Sequence, residues 1–499
     1  MQKTLPWRDH IFINIYWLGL SISAGVITPV LLPYLVTVFV SHDQKNTYLA
    51  LLRVAGLAVA MLVQPLAGMY SDQSTHRFGR RRPFIFWGTI LDLVFLSIIG
   101  TSVLFVGSPL NKTIRPLLGF SAAFAVLLLG LILLQASSNT AQGAQQGLIP
   151  DLVPENQRGT SSGVKSLFEI LPSILAVFIG PIIDSGRIWL AVGIIGGALS
   201  LTMLLTMIFV REEPLQEKPK RRNATRSLRI LALTALFVGV TQGAVWLVRS
   251  GGLFLSSLGV STEIQIALMG LSGLFAMAGS ILVAVYFGAR VGIGEEAQSN
   301  SPFIWWVINR LLFLAAVGSI LGFFQFFISD VLRVENPATM TTILLAIVAL
   351  FLIPSSLGGG FLADRIGRKR LIAFAGSISA AGTFLLLFSR TIPMVIVSGC
   401  ILGVGAGTFM ASSWALGIDL VPPKEAGRYL GISNLAGAGA GIVGAGIGGP
   451  MADFFNRIQP GLGYLVIFAI YAGLFMLSVI VLRGIPHLYK SPSQVPSIQ

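Results

Sequence analysis

Arg53, Asp92, Lys165, Glu169, Arg249 and Arg310 all stand inside long apolar stretches of this chain. At the centre of a bilayer a charge costs roughly 2.5–3.5 kcal/mol on insertion scales, so each of them calls for a partner or a purpose. Lys165 and Glu169 are four apart and can pair on one helix. Asp92 can neutralise an Arg within a helix bundle, or titrate. A carboxyl that carries a proton should be buried, and the candidates for that role are Asp92, Glu169 and Asp151. Arg310, beside Asn309, is a candidate for lining a cavity.

Uncharged polar groups form a second set. Gln135, Ser138, Asn139, Gln142, Gln145 and Gln146 recur at spacings of three and four, which places them in one stripe on an otherwise apolar helix. Such a stripe faces another helix or a water-filled cavity rather than lipid. Amides and hydroxyls suit a hydroxyl-rich or neutral amphipathic substrate and argue against a strongly anionic one. A third set lies in two loops. VQPLAGMYSDQSTHRFGRRRPFIF, from Val63 to Phe86, carries Gly68, Asp72, Arg77, Gly79, Arg80, Arg81 and Arg82. GGGFLADRIGRKRLI carries Gly360, Asp364, Arg365, Gly367, Arg368 and Lys369. Membrane anchoring alone needs neither the glycines nor the fixed Asp-to-Arg spacing. Asp72 can pair with a basic group, or with a helix N-terminus on the facing unit, where the macrodipole favours an anion. Asp151 and Asp419 are expected partners of the two Arg clusters.

The elements that must position these groups are membrane helices. The chain has 499 residues, 54% hydrophobic and 11% charged, against roughly 25% charged in soluble domains. Apolar runs of twenty or more residues alternate with short charged clusters. In lipid such runs must be helical, because only a helix or a closed barrel satisfies its own backbone. Spans are predicted at 11–40, 47–71, 83–106, 116–149, 160–182, 188–210, 229–257, 262–290, 302–332, 338–362, 369–389, 392–420, 428–451 and 461–484, about fourteen in all. If the N-terminus is cytoplasmic, most of the 34 Lys and Arg fall on cytoplasmic connections, the positive-inside pattern. The net charge of +14 therefore reports topology and contact with anionic lipid, not nucleic acid. Both termini are expected in the cytoplasm, in a plasma or inner membrane.

The landmarks repeat in order. Asp151-Leu152-Val153-Pro154 closes the fourth span and Asp419-Leu420-Val421-Pro422 the twelfth. Gly180-Pro181 with Asp184 ends the fifth, and Gly449-Pro450 with Asp453 the thirteenth. Asn14 in the first span answers Asn309 in the ninth. The expected organisation is a six-helix bundle (1–210), a basic linker (211–228), an inserted helix pair (229–290), a loop (291–301), a second six-helix bundle (302–485) and a tail (486–499). Parallel six-span repeats with a site at their interface are a transporter architecture. The fold class is thus all-α integral membrane.

The loop pattern resembles the signature of the major facilitator superfamily, Gly-x-x-x-Asp-Arg-x-Gly-Arg-Arg, which the Asp364 copy fits residue by residue. The Asp72 copy has four extra residues and is similar to the sucrose-transporter, or glycoside–cation symporter, branch. Thr28-Pro29 and Asn139-x-x-Gln142-Gly143 are similar to that branch too. The resemblance implies that the hairpin residues, with Asp151 and Asp419, form a cytoplasmic gate closed in outward-open states. It also implies that the first, fourth, seventh and tenth core helices line the substrate cavity, hence Asn14, Thr28, Gln135, Ser138, Asn139, Gln142, Gln146, Asn309 and Arg310. Two departures stand out: Gln146 occupies the place of an Arg that holds the sugar in that branch, and about fourteen spans replace twelve.

The leading reading is a secondary transporter working by alternating access, with proton-coupled symport of a sugar or glycoside. The alternatives are proton-coupled export of amphipathic compounds, which the inserted pair and the Gly-Pro ends favour, and a non-transporting membrane sensor. Scattered histidines and a single Cys400 offer no enzymatic cluster and no metal site. GTSSGVKS lacks the Gly-Lys pair of a phosphate loop, so no nucleotide or other cofactor is expected. A small-molecule substrate, a coupling proton and lipid are the expected partners of a monomer.

Overall fold

The computed structural model describes residues 4–214, 224–292, 301–421 and 426–485. The predicted tail at 486–499 lies outside them, as do residues 215–223 of the linker, residues 293–300 of the loop and the side chain of Asp364.

Thirteen helices among the described residues are long and apolar enough to cross a membrane by length and composition. They are α1 (Trp7–Phe39), α2 (His42–Asp72), α3 (Arg82–Phe105), α4 (Ala122–Leu152), α5 (Glu155–Phe178), α6 (Ile188–Phe209), α7 (Ser227–Leu255), α8 (Thr262–Val291), α9 (Ser301–Asp330), α10 (Pro337–Ala363), α11 (Arg368–Leu387), α12 (Ile392–Asp419) and, last in the chain, α14 (Leu462–Gly484). Between α12 and α14 runs a further long helix, α13 (Ala426–Ile458), at the predicted thirteenth span. The chain is an integral, multi-pass membrane protein.

Helix pairing repeats with the sequence. In the first bundle, α1 packs on α5 and α6, and α4 on α2 and α3. In the second, α9 packs on α13 and α14, and α12 on α10 and α11. Small residues permit the closest approaches. A Cβ at Gly143 of α4 would come within 2.5 Å of the Gln64 carbonyl on α2, and one at Gly407 of α12 would overlap the Leu352 carbonyl on α10. Without a hydrophobic drive between helices in lipid, such close packing is a main source of association.

The bundles meet through two equivalent seams, α2 against α13 and α5 against α10. The inserted pair, α7 and α8, packs mainly on α13, with α7 also touching α2 and α8 touching α9 and α14. Helix α9 is the most enclosed span; its Trp306, Phe313, Phe323, Phe326 and Phe327 are fully buried. In α1 the helix widens to a π turn at Ile27–Leu31, around Pro29. Pro33, four residues on, has no N–H to give to the Pro29 carbonyl, which therefore needs another donor. Gln325 of α9, its amide nitrogen turned toward α1, donates to the Pro29 and Val30 carbonyls at 3.1 and 3.0 Å. Thr28, in this turn, is half-buried.

Candidate functional site

The face that carries the two Gly-Asp-Arg loops, the hairpin face, is built separately in each bundle. Arg81 is the hub in the first. Its guanidinium pairs with Asp72 at the end of α2, donates to Asp151 at the end of α4 at 2.9 Å and reaches the Ser71 hydroxyl at 2.7 Å and the Gly68 carbonyl at 3.4 Å. Arg80 also pairs with Asp151. A Cβ at Gly147 would overlap the Arg81 guanidinium, so glycine is what admits it. The loop backbone is tied down by Glu212, whose carboxylate accepts from the Arg81 and Arg82 amides at 3.0 and 2.9 Å. Burial pushes the Glu212 carboxyl up from its ordinary value, against the lowering by those two amides. Gly79 takes φ +100°, with Glu212 where a Cβ would lie. Arg77 stands over the exposed ring of Phe78 at 4.7 Å.

The second copy repeats part of this arrangement among the described residues. Gly367 takes the same φ of +100°. Arg368 pairs with Asp419 and donates to the Ala415 carbonyl at 2.5 Å. Arg365 stands over Phe361 at 4.3 Å, and Gly360 borders open space. In this conformation Asp72 and Asp419 pair with basic groups of their own bundles, and among the described residues Asp72 meets no helix N-terminus of the facing unit. The reason is local: α4 ends beside the loop and offers Asp151, and Arg81 bridges both carboxylates.

Contacts that cross between bundles cluster at the opposite face. Asp453, buried at the end of α13, accepts from the Asn46 amide nitrogen at 3.2 Å, the Asn46 side chain at 2.9 Å and the Thr47 amide at 2.7 Å. Asp184, just after α5, accepts from the amides of Ala338 and Thr339 at 3.1 and 2.7 Å and from the Thr339 hydroxyl at 2.6 Å. Each carboxylate takes up first-turn N–H groups of a helix in the other bundle, groups that have no partner within their own helix. The positive end of the helix dipole adds to the attraction. The preceding glycines permit the approach: a Cβ at Gly449 would come within 2.5 Å of Ala50 and of the Asn46 carbonyl, and one at Gly180 would overlap Thr342. Lys45 and Asp330 form a further cross-bundle pair at 2.6 Å, joined by the Tyr464 hydroxyl at 2.6 Å.

About twelve ångströms below that end of α2, by helical rise, Arg53 also crosses. Its guanidinium is buried, donates to the Gly318 carbonyl of α9 at 2.7 Å and occupies the space where a Cβ of Gly322 would be. Its Nε and Nη1 have no hydrogen-bond partner.

The interior polar residues divide. Asn14 is fully buried and donates to the Ser161 hydroxyl at 2.8 Å, so it ties α1 to α5 rather than lining open space. Asn309 is likewise buried and ties α9 to α14 through the Ser478 carbonyl at 2.8 Å. These two therefore correct the cavity assignment: a buried amide on a packed helix face finds its partner in the neighbouring helix. Gln145 does the same, donating to the Ile13 carbonyl at 2.8 Å. Asn139 is buried against Gln135, with bonds of 2.8 and 3.0 Å. Gln135, Ser138 and Gln142 are half-buried and Gln146 is exposed. Arg310 lies between the indoles of Trp414 and Trp306, at 5.0 and 5.9 Å, with Nε and Nη1 unbonded. Asp92 is fully buried; one oxygen accepts from Ser137 and the other has no partner. No ion pair joins it to an Arg among the described residues. Glu169 pairs with Lys165 at 3.1 Å, and Lys165 lies over Trp17 at 4.3 Å.

Sequence reasoning used Asp184 and Asp453 only as landmarks and named Arg53 only as an intramembrane charge. It passed over Lys45, Asp330 and Gly322. The repeated Gly-Pro-x-x-Asp could have flagged the first pair, since a duplicated carboxyl after a duplicated glycine asks for a duplicated partner.

The fold and this two-faced arrangement define a class of membrane transporter. A profile of the Major Facilitator Superfamily matches residues 15–337 and 311–497, and the chain belongs to that family of transporters, which are not enzymes. Among its relatives are the sucrose transport protein SUC3 of Arabidopsis thaliana, 30% identical over 224 residues, 41% of this chain and 37% of that protein, and SUT1 of Oryza sativa subsp. japonica, 29% identical over 204 residues, 37% of each chain. The match thus spans well under half the length of these relatives. Solved structures share the fold. A D-xylose–proton symporter superposes with TM-score 0.61 at 16% identity, covering 97% of this chain and 99% of its own. A nucleoside transporter superposes with TM-score 0.63 at 12% identity, covering 95% and 99%.

Proposed function

We propose that this protein is a proton-coupled sugar or glycoside symporter working by alternating access, with the hairpin face toward the cytoplasm. The observation that carries the mechanism is the pairing of Asp184 and Asp453 with helix ends of the opposite bundle. Both clasps sit at one face, so the bundles are fastened there while each hairpin network holds to its own side. Rocking about the seams breaks the clasps and brings the hairpins with Asp72, Asp151, Asp364 and Asp419 into the interface.

Arg310 anchors the substrate. Unbonded guanidinium N–H groups between two indoles suit a sugar, whose hydroxyls accept from the donors and whose C–H face lies on an aromatic ring. Gln135, Ser138, Gln142 and Gln146 supply the further uncharged donors and acceptors, with Thr28. The names of the sucrose transport relatives favour the same class of cargo. Asp92 is the proton carrier: a buried carboxylate without a cation costs several kcal/mol, and one of its oxygens is left unbonded. The Gly-Pro ends of the fifth and thirteenth spans, which favoured export, have a use in the clasps, and this weakens the export reading.

The test is uptake into proteoliposomes under an imposed proton gradient, with sucrose, other disaccharides and cationic dyes. Sugar is expected to accumulate, and Asp92→Asn is expected to abolish gradient-driven accumulation while sparing sugar exchange at equal pH. Dye extrusion without sugar accumulation would overturn the sugar assignment.

A further inference from the structure

The inserted pair has no counterpart in either six-helix repeat, and it walls a pocket that neither the clasps nor the substrate site uses. The cavity, of about 480 Å³, lies at the clasp face between α7, α13 and the start of α2. Val248, Met269, Ile447 and Met451 give it an apolar body, and Leu253 continues it onto the exposed apolar surface of α7 beside Phe254. Two arginines are among its lining residues, Arg249 from α7 and Arg457 from α13.

Arg249 lies within a membrane-spanning helix, where an unpaired cation is costly. No ion pair reaches it among the described residues. Asp453, the carboxylate that lines the same pocket, already has both oxygens occupied by Asn46 and Thr47. Arg457 makes a 3.4 Å contact to the Asp43 carbonyl, and no ion pair reaches it among the described residues. The pocket thus combines apolar walls, continuous with the exposed Leu253 of α7, with two arginines and, among the described residues, no carboxylate left without partners. A sugar would leave the apolar walls unmatched, and a wholly apolar chain would leave the arginines unmatched.

We propose that this pocket holds one anionic phospholipid of the leaflet at the clasp face, its phosphate between Arg249 and Arg457 and an acyl chain along Leu253 and Met269. Charge complementarity selects the headgroup, and guanidinium groups are well suited to phosphate. The bound lipid links the inserted pair to α13 beside the Asp453 clasp, which gives the pair a role independent of the cargo.

Native mass spectrometry of the full-length protein released from detergent tests this, with phosphatidylglycerol, phosphatidylcholine and inorganic phosphate as probes. One retained phosphatidylglycerol is expected, bound at least ten-fold tighter than phosphatidylcholine, with Arg249→Gln and Arg457→Gln each weakening it ten-fold or more. Leu253→Trp keeps both charges, sits at an exposed position and fills the chain channel; it too should weaken the lipid, and it carries the test if an Arg variant does not fold. Equal retention of the two lipids, or undiminished phosphatidylglycerol binding in the folded variants, overturns the proposal. So does displacement of the lipid by an equal concentration of inorganic phosphate, which would make the site one for a free anion.

Discussion

The hairpin face and the clasp face use the same chemistry, carboxylates against N–H donors, in opposite ways. At the hairpin face Asp72, Asp151 and Arg81 join helices of one bundle. At the clasp face Asp184 and Asp453 join helices of two. The first arrangement moves as a unit when the bundles rock; the second has to break. The partners differ to match. Arg81 holds two carboxylates at once with a buried guanidinium, an arrangement that resists dissolution. The clasps rest on backbone N–H groups at helix ends, which water can satisfy once the face opens.

The comparison can be broken most forcefully at Arg81. Arg81→Gln leaves Asp72 and Asp151 without their shared cation; Asp72 is 55% exposed and Arg80 still reaches Asp151, so the loss is that of hydrogen bonds between charged groups, about 1.5–3 kcal/mol. A large fall in the thermal midpoint of the purified protein is expected, whichever way the bundles are set. Next comes the double variant Asp184→Ala with Asp453→Ala. At about 1 kcal/mol for each lost cap, the population open at the clasp face should rise about thirty-fold, with little change in thermal midpoint. Spin labels at Asp43 and Glu335, which lie at that face in different bundles, would report it as longer distances. Unchanged distances would remove the clasp function.

Gly322→Ala sharpens the same contrast at the midplane. Its Cβ meets the Arg53 guanidinium, and overpacking of this kind costs on the order of 1–2 kcal/mol. The same labels should shift toward the open distance, by less than in the double variant, and Arg53→Ala in the same background should restore the closed one. The smallest effect is expected for Asp419→Asn. Its pair with Arg368 is partly exposed, at 39% and 23% of side-chain surface, so the thermal midpoint should reflect less than about 1 kcal/mol. A loss as large as that of Arg81→Gln would overturn the minor role given to the Asp419 pair.

Much of this was legible before any coordinates. The span positions follow from apolar runs, since the backbone in lipid can satisfy itself only as a helix. The grouping of α1–α6 with α9–α14 follows from the order of duplicated landmarks, and the matched φ of Gly79 and Gly367 reflects the duplicated Arg-x-Gly-Arg of the two loops. The polar stripe on α4 was legible as a stripe. Its division was not: Gln145 turns to α1 while Gln146, the next residue, is exposed, and a step of 100° around a helix separates a packed face from an open one. Asn14 and Asn309 misled for the same reason, because an isolated amide in a span looks alike whether it faces a cavity or a neighbouring helix.

By itself the sequence determined the order of the spans, the two-fold repeat, the family and the presence of costly charges within the membrane, because each of these is set by composition and spacing along one chain. Only the tertiary structure decided which carboxylates act within a bundle and which act between bundles. Asp151 and Asp184 are both acids at the ends of apolar runs. What separates them is the identity of the segment that arrives opposite, contributed by residues 154 positions away in the other bundle for Asp184 and by a hairpin 70 positions earlier in the same bundle for Asp151. The same holds for Arg53, whose place depends on an absent Cβ at Gly322 in the other bundle.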